Sequence, residues 1–312
     1  MTACGGLADV APRPVRELFV GRETALGATM VRRLLPNLGR RLVGAWCFVD
    51  HYGPDDVSTT PGMQVPPHPH IGLQTVSWLL SGEVRHRDSL GSDQLIRPGE
   101  LGLMTAGHAI AHAEQSPSTH PGFLHGAQLW VALPAAARDT TPAWEHHARL
   151  PVVTDRGLSA TVVLGELAGA RSPGTAYTPL VGVDVDLAAG ADALLPLEGE
   201  FEHAVLVLSG AAEVDGLALQ PGAMLYLGCA RRDLRLRADC AARLMLLGGE
   251  PFTEQIVMWW NFVARSAEEI ATARSQWADG DQRFRDVVGL AGHRLPAPPP
   301  PPGRLKPGGA TR

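Results

Sequence analysis

Two histidines separated by one residue, His68 and His70 in Pro66-Pro67-His68-Pro69-His70, are the first residues whose type and spacing point to chemistry. An extended strand sends alternate side chains to one face, so on the inner wall of a β-barrel both imidazoles would converge. His112 and Glu114 repeat the spacing within Thr105-Ala106-Gly107-His108-Ala109-Ile110-Ala111-His112-Ala113-Glu114, and a neighbouring strand would add them to the same centre. Three neutral imidazoles and one carboxylate leave a divalent ion with one net positive charge and, if it prefers six ligands, with open positions. This is the donor set of a catalytic site. It extends the two-histidine-one-carboxylate pattern of non-haem iron by one imidazole and lacks the thiolates of a structural zinc centre. Iron(II) is the ion it favours; manganese, nickel and zinc can use the same ligands.

Competing patterns fare worse. H-x-H alone is a weak signal, common on surface strands and turns, and gains weight only from the second pair beyond the turn at Pro98-Gly99. His108 and His112, four apart, have the spacing of a helical zinc-protease motif, but that motif needs its general base beside the first histidine, where this chain has Ala109. His108 is therefore read as a supporting or pocket-mouth residue. Ser89, Asp88 and His86 suggest a hydrolase triad, yet sequence neighbours rarely reach triad geometry and no G-x-S-x-G elbow is present. Cys4, Cys47, Cys229 and Cys240 have no paired spacing and are read as reduced thiols rather than ligands.

Barrel elements must position these residues. Glycine and proline punctuate short apolar runs, the signature of an all-β sandwich or barrel. Leu80-Ser81-Gly82 followed by Arg97-Pro98-Gly99 recurs as Leu208-Ser209-Gly210 followed by Gln220-Pro221-Gly222, which predicts two copies of one small barrel. Counting from the shared glycines places the metal-site positions of the second copy at Pro196, Glu198, Arg235 and Arg237. With His203 the only histidine in that barrel, the second barrel is expected to be metal-free. Ser266 and Glu269 have capping-box spacing, and Ile270, Ala273 and Trp277 recur on one face of the helix that follows. The proline-rich end beyond Leu295 is expected to be extended or disordered; recruitment of a proline-reading partner is a weaker reading of it.

A net charge of −5 over 312 residues provides no basic face, so direct nucleic-acid binding is not expected. Met258-Trp259-Trp260-Asn261-Phe262 then reads as packing between barrel and helix rather than as a base-stacking platform. No apolar run is long enough to span a bilayer and the first residues lack signal-peptide order, so no membrane contact and a cytoplasmic location are expected. His51, in Asp50-His51-Tyr52-Gly53-Pro54, is expected in a turn near the metal, and His146 and His147 are expected to face solvent.

The stretches HPHIGLQTVSWLLSGEVRHRDSLGS, IRPGELGLMTAGHAIAHAE and LHGAQLWVALP closely resemble the N-terminal half of the pirin family, and LLGGEPFTEQIVMWWNFVARSAEEI resembles the ending of many bacterial pirins. The resemblance implies two tandem cupin, jelly-roll-type barrels with a short C-terminal helix. The corresponding division is a metal-binding cupin over 1–140, a linker with one strand over 141–175, a metal-free cupin over 176–265, a helical segment over 266–290 and a tail over 291–312. It also implies iron held by His68, His70, His112 and Glu114. Two positions depart from the family: Gln74, where many pirins have Glu, and His108-Ala109, where many have Arg-Gly.

Some pirins resemble quercetin 2,3-dioxygenase in activity, which implies a small aromatic, flavonol-like substrate opened by O2 with loss of carbon monoxide. In that reading Glu114 is the catalytic base, and Trp78, Met104, Phe123 and Trp130 are candidate apolar contacts. Animal members imply the alternative, an iron-dependent, redox-sensing coregulator with a protein partner.

Overall fold

Gly82, Gly99, Gly210 and Gly222, the glycines that mark the repeat, all have positive φ, between 68° and 91°, a region that strains side-chain-bearing residues. Each therefore closes a turn between strands, and the repeated turns define two barrels. The computed structural model describes residues 15–26, 29–300, 303 and 305–309; Cys4 lies outside them.

In the first barrel, a seven-stranded sheet runs in the order Ala143–His147, Leu101–Thr105, Leu73–Ser81, Phe123–Ala132, Trp46–Asp56, Thr29–Leu35 and Arg22–Leu26. It faces a four-stranded sheet ordered Gln64–His70, Ile110–Gln115, Val84–Asp88 and Asp93–Ile96. The second barrel repeats the plan. Its larger sheet includes Glu202–Ser209, Ala242–Gly249 and Leu180–Leu187, and its smaller sheet is ordered Ala191–Pro196, Asp233–Ala238, Ala212–Val214 and Leu217–Leu219. The early strand Glu17–Val20 pairs with Ala223–Gly228 of the second barrel, so the chain is stitched across both. The fold is thus all-β, with two tandem cupin barrels and, among the described residues, one α-helix.

Alternation along the strands separates two cores. In Glu202–Ser209, Ala204, Leu206 and Leu208 face the first barrel and join Leu34, Trp46, Trp130 and Met245 in the core between barrels. Val205 and Val207 face inward and join the core of the second barrel. That interior is filled by Ala193, Leu195, Leu234 and Leu236. Pro196, Glu198, Arg235 and Arg237, the positions reached by counting, are exposed and one residue out of phase with the inward face. Loop lengths differ between the copies, and a one-residue slip turns every side chain to the other face.

Helix Ala267–Ala278 starts where the sequence places it: Ser266 is the N-cap, its hydroxyl accepts from the Glu269 N–H, and Ile270, Ala273 and Trp277 are buried. The chain then returns over the first barrel. Leu295 N–H donates to Pro67 O at 2.7 Å, Trp277 Nε1 donates to Leu295 O at 2.8 Å, and Ile256 and Gly308 exchange backbone hydrogen bonds of 3.0 Å. Among the described residues no helix is long and apolar enough to cross a membrane.

His203 is the polar exception inside the second barrel, fully buried with its proton affinity pushed down to about 4 by burial and then by the Arg231 charge. A histidine lowered on folding contributes full stability above its unfolded value and loses it as pH falls between 6.5 and about 4. His203→Leu is expected to flatten this acid limb: its stability loss between pH 7 and pH 5, from urea unfolding, should be about 2 kcal/mol smaller than wild type. Parallel limbs would refute the assignment.

Candidate metal centre

The strand Gln64–His70 is an edge strand of the four-stranded sheet, where Pro66, Pro67 and Pro69 cost fewer ladder hydrogen bonds than they would in the middle. His68 stands directly opposite His112 and His70 opposite Ile110. The register shifts by one before Val65 meets Glu114, so Pro66 and Pro67 together oppose Ala113 as a bulge. This register brings three of the four expected residues together: ligand-capable nitrogens of His68, His70 and His112 lie within 4.8 Å of one another, all buried. Glu114 is outside that grouping but lines the same pocket. Its Oε1 lies 2.9 Å from Ser77 Oγ across the barrel, while Ser77 Oγ is also 3.0 Å from Gln128 Oε1.

Hydrogen bonds decide which imidazole nitrogens are free. His68 Nδ1 lies 2.9 Å from Pro66 O and His70 Nδ1 3.1 Å from Asn261 O. Carbonyls only accept, so each Nδ1 carries the proton and each neutral ring keeps a bare Nε2. For His112 the same result comes through a relay. Asp88 Oδ2 accepts from His86 Nε2 at 3.0 Å, and His86 Nδ1 faces His112 Nδ1 at 3.3 Å; in neutral His86 that nitrogen accepts, leaving His112 Nε2 bare. Stacking on Trp144, with ring centroids 3.6 Å apart, fixes the His86 ring.

Burial, the largest cause, and neighbouring histidines keep all three rings neutral: His68 is lowered to about 4, and His70 and His112 fall well below the ordinary histidine value. His70 Nε2 and His112 Nε2 are only 3.1 Å apart. Two lone pairs at that distance with no proton between them repel, and a shared cation relieves the repulsion. The donor set therefore fits a divalent metal. Burial, the largest cause, raises the proton affinity of Glu114 against the Ser77 hydrogen bond.

The pocket beside these residues has a volume of about 320 Å³. Phe48 and Trp130 stack at 4.0 Å on one wall, with Tyr52, Met63 and Trp260 completing the apolar lining. Arg33 and Asp50, paired through two hydrogen bonds of 2.9 and 2.7 Å, provide charged groups at the same pocket.

A sequence profile described as Pirin matches residues 28–131, and one described as Pirin C-terminal cupin domain matches residues 182–284. The chain belongs to the pirin family. One curated pirin relative, a Pseudomonas aeruginosa protein named as a candidate quercetin 2,3-dioxygenase, is 48% identical over 275 residues, 88% of this chain and 87% of its own. A pirin-like protein of Caulobacter vibrioides is 38% identical over 279 residues, 86% of this chain and 95% of its own. The crystal structure of a quercetin 2,3-dioxygenase from Acinetobacter baumannii superposes with a TM-score of 0.90 at 42% identity, covering 94% of this chain and 97% of that one.

Several sequence expectations need correction in this pirin. Of the four candidate apolar contacts only Trp130 lines the pocket; Trp78 and Met104 are core residues, and Phe123 is 57% exposed. His51 lies within the strand Trp46–Asp56, not in a turn. Phe48, Asp50 and Tyr52 alternate into the pocket, so His51 faces the other way and meets His125, with their Nε2 atoms 2.9 Å apart. His108 is exposed and lines a different cleft, near Thr140 and Arg283. Gln74 donates to Thr105 Oγ1 and Thr175 O and is absent from the pocket wall. Both departures from the pirin pattern therefore lie away from the site. His146 and His147 are partly buried, with Glu100 and Glu145 as partners. Sequence reading also missed Asn261 and Trp260, for nothing local links a turn near residue 260 to His70.

Proposed function

We propose that the first barrel is an iron(II)-type oxygenase site for flavonol-like substrates, with His68, His70, His112 and Glu114 as metal ligands and Glu114 as the catalytic base. The observation that carries this reading is the set of three bare Nε2 atoms beside a buried carboxylate in an aromatic-lined pocket. When bound, the ion supplies positive charge that favours an enolate form of the substrate, and a redox partner for molecular oxygen. Phe48 and Trp130 offer a flat apolar wall to a ring system. The carboxylate of Glu114, whose proton affinity burial has raised, takes up the proton of the substrate hydroxyl. Ser77 holds that carboxylate between transfers.

Anaerobic reconstitution with iron(II), followed by O2 uptake and carbon monoxide release on adding quercetin, tests the proposal. Stoichiometric consumption of O2 with release of carbon monoxide is expected. If the protein keeps its metal and turns nothing over, the enzyme reading falls and the redox-sensing regulator becomes the reading to test.

The relay gives a separate test. Asp88→Asn keeps an acceptor for Leu90 N–H and Ser92 N–H, which bond to Oδ1, but replaces the carboxylate that orients His86. Metal affinity by equilibrium dialysis is expected to fall about 10- to 100-fold with the fold intact. Unchanged affinity would show that His112 is held by packing alone.

A further inference from the structure

Part of the metal-site pocket comes from the far end of the chain. Leu295, in the proline-rich segment, lines that pocket together with Trp260 and Asn261, of the turn whose carbonyl holds His70. Three constraints fix its backbone. Its N–H donates at 2.7 Å to the carbonyl of Pro67, the residue before His68. Its own carbonyl accepts from Trp277 Nε1 at 2.8 Å, and Pro296, next in sequence, disfavours helical backbone at Leu295. The flanks are anchored as well. The Arg294 guanidinium lies 3.7 Å from the Trp277 ring centroid and donates to Phe284 O at 2.7 Å. On the other side, Pro298 O accepts from Arg274 Nε at 2.9 Å, and Ala297 packs against the cluster that contains Ile71, Phe262 and Trp277.

Anchors on both sides make Leu295 a fixed part of the wall, and a segment rich in proline has little backbone freedom to lose on being held. The pocket, about 320 Å³, is near the lower end for small-molecule sites, so the volume of one wall residue decides what fits. Leu295 carries no polar group; it can select by size and not by charge. We propose that Leu295 is a specificity-determining residue, limiting how large a flat aromatic ligand can be while one of its rings lies against Phe48 and Trp130 and reaches the metal ligands. This inference rests on the flavonol reading of the pocket, but affinity tests it and turnover is not needed.

Anaerobic titration of the nickel(II)-loaded full chain with catechol, quercetin and quercetin 7-glucoside, followed by ligand absorbance, tests it. Wild type is expected to bind catechol and quercetin, and the bulkier glucoside about tenfold more weakly than quercetin. Leu295→Trp should weaken quercetin about tenfold by overfilling the wall and leave catechol unchanged. Leu295→Ala should strengthen the glucoside severalfold, again with catechol unchanged. Leu295 is only partly buried, so both variants are expected to fold, which far-UV circular dichroism checks; Leu295→Ala carries the test if Leu295→Trp does not fold. Catechol affinity falling in parallel with that of quercetin would show a general disturbance beside His68 and overturn the proposal. Quercetin and its glucoside bound alike by all three proteins would overturn it and leave the flavonol reading standing. Catechol binding with no quercetin binding in either wild type or Leu295→Ala would overturn both.

Discussion

Replacing His70 by alanine is expected to abolish stoichiometric metal binding, with affinity down at least about 100-fold. His70 is buried, its Nδ1–H is committed to Asn261 O, and its Nε2 lies 3.1 Å from that of His112. Among the described residues the tight grouping consists of His68, His70 and His112, so the substitution leaves two imidazoles and the more distant Glu114 carboxylate. Folding linkage offers a readout that needs no turnover. An ion that binds the native state at 100 times its Kd raises stability by about 2.7 kcal/mol, so iron(II) or nickel(II) added anaerobically should raise the thermal midpoint of wild type and leave His70→Ala unmoved. Metal analysis showing one tightly held ion per His70→Ala chain would remove His70 from the site.

The second large effect concerns the joint between barrels. Trp46 is fully buried, and its Nε1 lies 3.2 Å from Val181 O and 3.1 Å from Gly248 O, both in the second barrel. Its ring fits against Gly182, where an added Cβ would come within 2.8 Å of Cζ2. Next to it, Gly44 has φ of +53° and donates its N–H to Glu202 Oε2 at 2.8 Å. Truncating a buried tryptophan costs about 3–5 kcal/mol in lost contacts and cavity, and carbonyls left without a donor add to the loss. Trp46→Ala should therefore lose about 5 kcal/mol in urea unfolding, with the barrels separating into two transitions as their shared core opens. Trp46→Phe, which fills most of the volume but loses the N–H, should lose less than half as much. A Trp46→Ala curve within 1 kcal/mol of wild type would mean that the joint is held elsewhere.

The two barrels differ in how they were read. H-x-H and H-x-E lie on adjacent strands, and period-two alternation carries side-chain direction from sequence to space; hence His68, His70 and His112 converge as expected. Alternation also accounts for the error at His51, since assigning it to a turn ignored the parity that sends Asp50 and Tyr52 inward. Counting residues failed in the second barrel because bulges and unequal loops change register, a tertiary property with no local signature.

Residue type and spacing alone determined the repeat, the all-β architecture, the capped helix and the three clustered imidazoles. All follow from short-range rules: turn glycines, strand parity and helix capping. Only the tertiary structure decided which nitrogens are bare, because the acceptors that fix them come from distant places, Asn261 for His70 and the Asp88–His86 pair for His112. It also decided that Glu114 rests on Ser77, and that His203 is buried with both nitrogens unpaired. Hydrogen-bond partners and empty volume depend on how whole sheets pack, and no local pattern records them.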